Sequence, residues 1–282
     1  VKSKVRLDEL LQGIIVQSGN DAAIAVAEGI AGNEAAFAKL MTEEGRRLGL
    51  RKSSFRNATG LHHPEHLTTA RDLAVLARHI MDAYPDYYPL FAQREFLYRK
   101  HKFINRNPLL FANIGVEGMK TGYIKEAGYG IIVTAKQDER RLIAVLNGLE
   151  TAEERKVEAQ KLLEFGFKSF TEYKVFEAGE TVGQARVWGG SRMFVPLVGN
   201  GDVVILLPRH AASQRLKAEI VYKGPLKAPI QKGDVVAHLR VTSASNAVNE
   251  VPLLAAEAVT RAGVVRRGFD SLVHLALHWV LL

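Results

Sequence analysis

Hydrophobic positions follow two periods along this chain, a helical one in most of the first 170 residues and a strand one after that. Leu7, Leu10, Leu11, Ile14 and Ile15 recur at i, i+3, i+4, i+7 and i+8, which predicts a helix with one buried face. The polar run Gln17-Ser18-Gly19-Asn20 interrupts it, and Asn20 or Asp21 is placed to cap an alanine-rich helix over Ala22 to Glu28. Asn33 predicts the cap of a further helix carrying Phe37, Leu40, Met41 and Leu48 and ending at Gly49. A connection with a short extended piece at Ser54-Phe55-Arg56-Asn57 follows. Thr69 and Asp72 then resemble a capping box, opening an amphipathic helix through Leu73, Leu76, Ala77 and Ile80 that stops before Pro85. Tyr84 to Phe111 is rich in aromatics and proline, with hints of short strands, and its rings read as core and loop anchors.

From Val116 the period becomes that of strands. Tyr129 to Ala135 and Arg141 to Leu146 read as a hairpin turning through residues 136 to 140. Thr151 and Glu154 form a second capping box, and that helix is expected to end at Gly166 after Leu162, Leu163 and Phe165. Helices packed on an antiparallel sheet make this an α+β domain. Beyond Phe170, Val195 to Val198, Val203 to Leu207, Leu216 to Tyr222 and Val235 to Val241 alternate with glycine and proline turns, as in a small β-sandwich. Two of those turns rhyme, Gly179-Glu180-Thr181-Val182 and Gly233-Asp234-Val235-Val236. No catalytic constellation lies in this part. The last residues, Phe269 to Leu282, place apolar side chains around most of a helix and leave Asp270, His274 and His278 as a polar stripe behind Arg266 and Arg267. That pattern predicts an amphipathic helix lying in a membrane interface, too short to span a bilayer, which takes about 20 apolar residues.

Composition adds bounds rather than detail. The 282 residues are 47% hydrophobic and 24% charged, ordinary for a globular chain long enough to bury one large or two smaller cores. A formal charge of +8 suits an anionic partner, yet the basic residues are scattered without a long Lys/Arg block, so no nucleic-acid partner is expected. With no cysteine there are neither disulfides nor thiolate metal sites. His62, His63 and His66 crowd one loop but lack a helical i, i+4 frame and a carboxylate partner, so the expectation is a surface loop, with no metal and no cofactor. The sequence starts at Val1 and shows no secretory leader, as a mature protein or a fragment would.

Candidate chemistry centres on Ser18-Gly19-Asn20 and on Lys120-Thr121-Gly122. Together they resemble the second and third motifs of the penicillin-binding and serine β-lactamase superfamily, S-D-N and K-T-G, with the middle residue of the first changed to glycine. The neighbouring text, Ile15 to Ala23, Thr69-Ala70-Arg71-Asp72, Asn105-Arg106-Asn107, Gly118 to Tyr123 and Ala127-Gly128-Tyr129, is similar in order and spacing to the low-molecular-mass, serine-type D-alanyl-D-alanine carboxypeptidases of the peptidase S11 family. That resemblance implies a transpeptidase-like catalytic domain over 1–170, an all-β domain over 171–262 and a membrane-anchor helix over 263–282. It implies acyl transfer on peptidoglycan stem peptides ending in D-Ala-D-Ala, with β-lactams as covalent inhibitors, at the periplasmic or extracytoplasmic face of the cytoplasmic membrane.

Each role is carried over onto this sequence as the resemblance implies it. Ser18 relays a proton to the leaving amine, Asn20 hydrogen-bonds the substrate amide, and Lys120 adds positive potential near Ser18. Thr121 contacts the substrate carboxylate, although strict strand alternation aims it away from Lys120. Gly122 lets the peptide approach the strand, the backbone N–H of Tyr123 serves the oxyanion, and Arg155 helps hold the carboxylate. The family's nucleophile and base belong to an S-x-x-K motif, and no such motif occurs among the 282 residues. Its expected place is before Val1, so the chain reads as N-terminally truncated and, as written, inactive. Glu117 stands where the family usually has Asp, and Ile124 near a usual threonine. The alternatives are a non-catalytic peptidoglycan-binding or scaffolding protein that lost its nucleophile, and a DD-endopeptidase or β-lactamase on the same fold.

Overall fold

A computed structural model describes residues 4–209, 216–242 and 248–264. The amphipathic tail expected over 263–282 lies, from residue 265 onward, outside them. The described chain divides into two units, Val1–Phe167 and Lys168–Leu282.

In the first unit, helix α1 (Leu7–Gln12) runs into a π-helical turn over Gly13–Gln17 and stops at Ser18. The expected buried stripe is realised only at its far end: Ile15 and Val16 are buried, whereas Leu7 is 61% exposed. Helix α2 (Asn20–Ala31) follows with Gly19 as its N-cap and no side-chain capping bond, so neither Asn20 nor Asp21 caps it. Asp21 Oδ1 accepts from the adjacent N–H of Ala22 at 2.9 Å. Helix α3 (Glu34–Arg47) has the expected cap, Asn33 Oδ1 accepting from Ala36 N at 2.8 Å. Helix α4 (Ala70–Ala83) is capped by Thr69. Its capping box is not reciprocal, because the Asp72 carboxylate turns to Lys52 N (2.8 Å) and Ser53 Oγ (2.7 Å) and ties the helix start to the preceding connection.

Strands β1 (Glu95–Tyr98) and β2 (His101–Ile104) form a small hairpin. Strands β3 (Val116–Ile124), β4 (Gly128–Gln137) and β5 (Arg140–Leu149) form an antiparallel sheet in the order β3-β4-β5. One core, with Ile131, Val133, Ala135, Ala159, Leu163 and Phe167, sits between that sheet and helix α5 (Ala152–Ser169). A second joins Ala77 of α4 to Tyr88, Met119, Ile132 and Ile143. Helix α5 does not stop at Gly166. That glycine sits inside the helix, where a Cβ would lie 2.6 Å from Leu142 Cδ1, so its bare face admits the Leu142 side chain of β5.

Beyond the end of α5, the regular structure among the described residues of the second unit is built of strands. Strands β6 (Phe170–Phe176), β7 (Thr181–Trp188), β8 (Phe194–Gly199), β9 (Val203–Pro208), β10 (Lys217–Val221), β11 (Leu226–Lys227), β12 (Val235–Thr242) and β13 (Val248–Ala255) make a six-stranded sheet, β10-β12-β13-β8-β7-β11, and a β6-β9 pair. Alternate residues of both enter one core, including Val187, Leu197, Ile205, Leu239 and Leu253. The rhyming turns share one geometry. Glu180 accepts from Glu177 N through its carboxylate at 2.8 Å and Asp234 does the same for Gln231 N, and Gly179 and Gly233 are both left-handed, at φ 80° and 91°.

Candidate active site

The π-helical turn before Ser18 supplies the geometry of the first segment. Ser18 takes the left-handed conformation, φ 60° and ψ 44°, which costs a non-glycine residue on the order of 1 kcal/mol. The N–H of Gly19 closes the turn on Gly13 O at 3.0 Å, and α2 starts at once. The reversal carries Ser18 and Asn20 to the same place. Both line one cleft of about 740 Å³ with Leu10, Phe96, Tyr98 and Arg106.

Strand β3 brings the second segment to it. Lys120 Nζ donates to Ser18 Oγ at 3.0 Å, across 102 residues of sequence, and to the carbonyl of Thr121 at 2.8 Å. Burial, with the nearby charges of Arg106 and Arg155, pulls the Lys120 ammonium down to about 8. Such an amine, sharing a bond with a hydroxyl, is poised to exchange a proton near neutral pH.

Pleat alternation holds along β3. Lys120 pairs with Ile132, on the α4 side of the sheet, and Thr121 with Ile131, on the α5 side. Thr121 is buried, so its side chain does not join Lys120 at Ser18. Arg155, in the first turn of α5, is 8% exposed. Its Nε is buried and has no hydrogen-bond partner among the described residues. The guanidinium lies 5.5 Å over the ring of Tyr129, which in turn packs against the ring of Tyr123 at 4.2 Å. Burial lowers the pKa of Arg155, and no carboxylate meets it among the described residues. Gly122 and Tyr123 are exposed at the end of this run.

The structure therefore places Ser18 and Asn20 on one cleft and bonds Lys120 to Ser18, while Thr121, Tyr123 and Arg155 occupy neighbouring positions along β3 and at the start of α5. Arg106 and Tyr129 stand in the quoted motifs but received no role from the sequence. The signal for Arg106 was its place between two asparagines, Asn105 and Asn107, that are both buried. The charges of Arg106 and Arg155 both bear on Lys120. An arrangement of that kind suits a ligand carrying a carboxylate.

Comparison with known proteins bears on the family and the fold. A family model described as D-alanyl-D-alanine carboxypeptidase matches residues 1–151, and one for the penicillin-binding protein 5 C-terminal domain matches residues 170–261. The chain is 34% identical over 276 residues to the D-alanyl-D-alanine carboxypeptidase DacA of Haemophilus influenzae, covering 97% of this chain and 70% of that protein. It is 33% identical over 271 residues to DacF of Bacillus subtilis, covering 93% of this chain and 68% of that one. Among solved structures, penicillin binding protein 5 from Haemophilus influenzae superposes with a TM-score of 0.77 at 34% identity, over 92% of this chain and 76% of the other. Penicillin-binding protein D2 from Listeria monocytogenes in its ampicillin-bound form gives a TM-score of 0.54 at 31% identity, over 57% and 68% of the two chains.

Proposed function

Because the chain belongs to the D-alanyl-D-alanine carboxypeptidase family, we propose that it is the motif-bearing part of a serine hydrolase that removes the terminal D-alanine from peptidoglycan stem peptides through an acyl-enzyme. The observation that carries this reading is the 3.0 Å contact between Lys120 Nζ and Ser18 Oγ. Acyl transfer needs a nucleophile, a base, donors for the oxyanion and a cation for the substrate carboxylate. Ser18, with its hydroxyl on a partly buried amine, passes a proton to the leaving amine. Asn20, at the same cleft, takes the substrate amide. The guanidinium of Arg155, whose Nε has no hydrogen-bond partner among the described residues, and the hydroxyl of Thr121 receive the terminal carboxylate, Gly122 gives the peptide room beside β3, and the N–H of Tyr123 serves the oxyanion. The nucleophile is assigned to an S-x-x-K segment that these 282 residues do not contain. The 282 residues alone accordingly do not acylate. β-Lactams are the expected covalent inhibitors of a protein carrying that segment. A site at the extracytoplasmic face of the membrane, held by the amphipathic pattern of 269–282, completes the reading.

Labelling with a fluorescent penicillin tests it. A protein joining an S-x-x-K segment ahead of this sequence is labelled, the 282 residues alone are not, and Lys120→Ala in the longer protein slows labelling by about two orders of magnitude or more, the scale of one lost acid–base or electrostatic group. Unchanged labelling of Lys120→Ala removes that residue from the mechanism. A longer protein that takes no label, yet binds peptidoglycan, favours the non-catalytic reading.

A further inference from the structure

The Lys120 contact depends on a defect in the strand that carries it. Strand β3 pairs with β4 as Val116↔Ala135 and then Gly118↔Thr134, so Glu117 is an extra residue in a β-bulge. A bulge resets which way every following side chain points. Absorbing Glu117 into the ladder slips one part of β3 by a residue and exchanges its faces, turning Lys120 towards the α5 side and away from Ser18. The side chains around the bulge hold it in place. The Glu117 carboxylate takes two bonds from Arg141, at 2.6 and 3.0 Å, and a third from the hydroxyl of Tyr88 at 3.3 Å. Tyr88 Oη is itself 2.6 Å from Thr134 Oγ1, opposite the bulge. Asn107 is fully buried, and its Nδ2 donates to Gly118 O at 3.2 Å while its Oδ1 accepts from Leu109 N at 3.1 Å. Phe91 closes the third side, for a Cβ on Gly118 would sit 2.9 Å from Phe91 Cβ.

We propose that Glu117 and Asn107 are positioning residues for Lys120, pinning the bulged residue and the carbonyl after it so that the ammonium reaches Ser18. The inference rests on the reading that Lys120 acts at Ser18, but it concerns the strand and is tested without turnover. Penicillin labelling decides the reaction, and a titration of Lys120 decides the clamp.

The charged groups that bear on Lys120 are Arg106 and Arg155, and neither belongs to the clamp. In the 282-residue protein with isotope-labelled lysines, with Lys120→Arg used to assign the signal, the Lys120 amine is followed through a pH titration by NMR. The native amine titrates well below the surface lysines. Glu117→Gln keeps the shape but loses the charge, Asn107→Ala loses both bonds, and each raises the Lys120 pKa by about one unit or more towards the ordinary lysine value of about 10.4. Glu117→Asp keeps the carboxylate and keeps the native value. If Glu117→Gln does not fold, Asn107→Ala and Glu117→Asp still decide. A lower melting temperature with an unmoved Lys120 titration shows an ordinary structural role and overturns the proposal. So does a native Lys120 that titrates with the surface lysines.

Discussion

At the scale of single residues, the site is organised by neighbouring cations, of which Arg155 is buried, Lys120 partly buried and Arg106 exposed. Burial and the charges of Arg106 and Arg155 hold Lys120 near 8, below its unfolded value of about 10.4. Between those two values the unfolded chain binds the proton more readily than the folded one, so stability rises with pH across the window. The contribution is complete above about 10.4 and is lost as pH falls through 8, on the order of 3 kcal/mol in all. Urea midpoints for the native protein and Lys120→Met, measured at pH 7.5 and 10, check this. The native protein gains relative to the variant at the higher pH, and a difference that does not change with pH refutes the lowered pKa of Lys120. Residue identity made this pair legible in the sequence, since two short motifs named Ser18 and Lys120 as partners. The part of Arg106 and Tyr129 was not legible, because it depends on which loop and which strand lie beside Lys120 and not on any local pattern.

At the scale of elements, the same residue type does different work at two helix starts. Asn33 caps α3 through a 2.8 Å bond, whereas Asn20 opens α2 with no capping bond. An N-cap asparagine changed to alanine costs about 1 kcal/mol, so Asn33→Ala should lose that much and Asn20→Ala very little. Equilibrium unfolding in urea separates the two, and equal losses would return Asn20 to a purely structural role. Boundaries were legible where a side chain enforces them, as with Asn33, Thr69 and the paired turns at Gly179 and Gly233. They were not legible where packing overrules the local signal. Gly166 has the look of a helix stop, yet in α5 it is the gap that Leu142 fills. The bulge at Glu117 is likewise invisible in a one-dimensional period, since it is a property of the β3-β4 register.

At the scale of the whole molecule, each unit buries its own core among the described residues. No residue before Ala185 belongs to the buried cluster of the second unit, and none after Phe167 to those of the first. The second core comes from alternate strand positions, and that alternation made an all-β region readable beyond Phe170. Its pairing order, in which β13 lies between β12 and β8, came only from the folded register. Leu197 is fully buried in that core, and truncating such a leucine costs roughly 2 to 5 kcal/mol through lost contacts and the cavity left behind. That is a large share of the roughly 5 to 15 kcal/mol typical of a domain. With separate cores, Leu197→Ala should lower one calorimetric transition by several degrees and leave the other, together with the Lys120 titration, at the native position. Val133→Ala, in the core against α5, should do the reverse for the transitions. A single transition that both substitutions shift together would mean that the two units unfold as one cooperative body, and that a defect in the β unit reaches the cleft at Ser18.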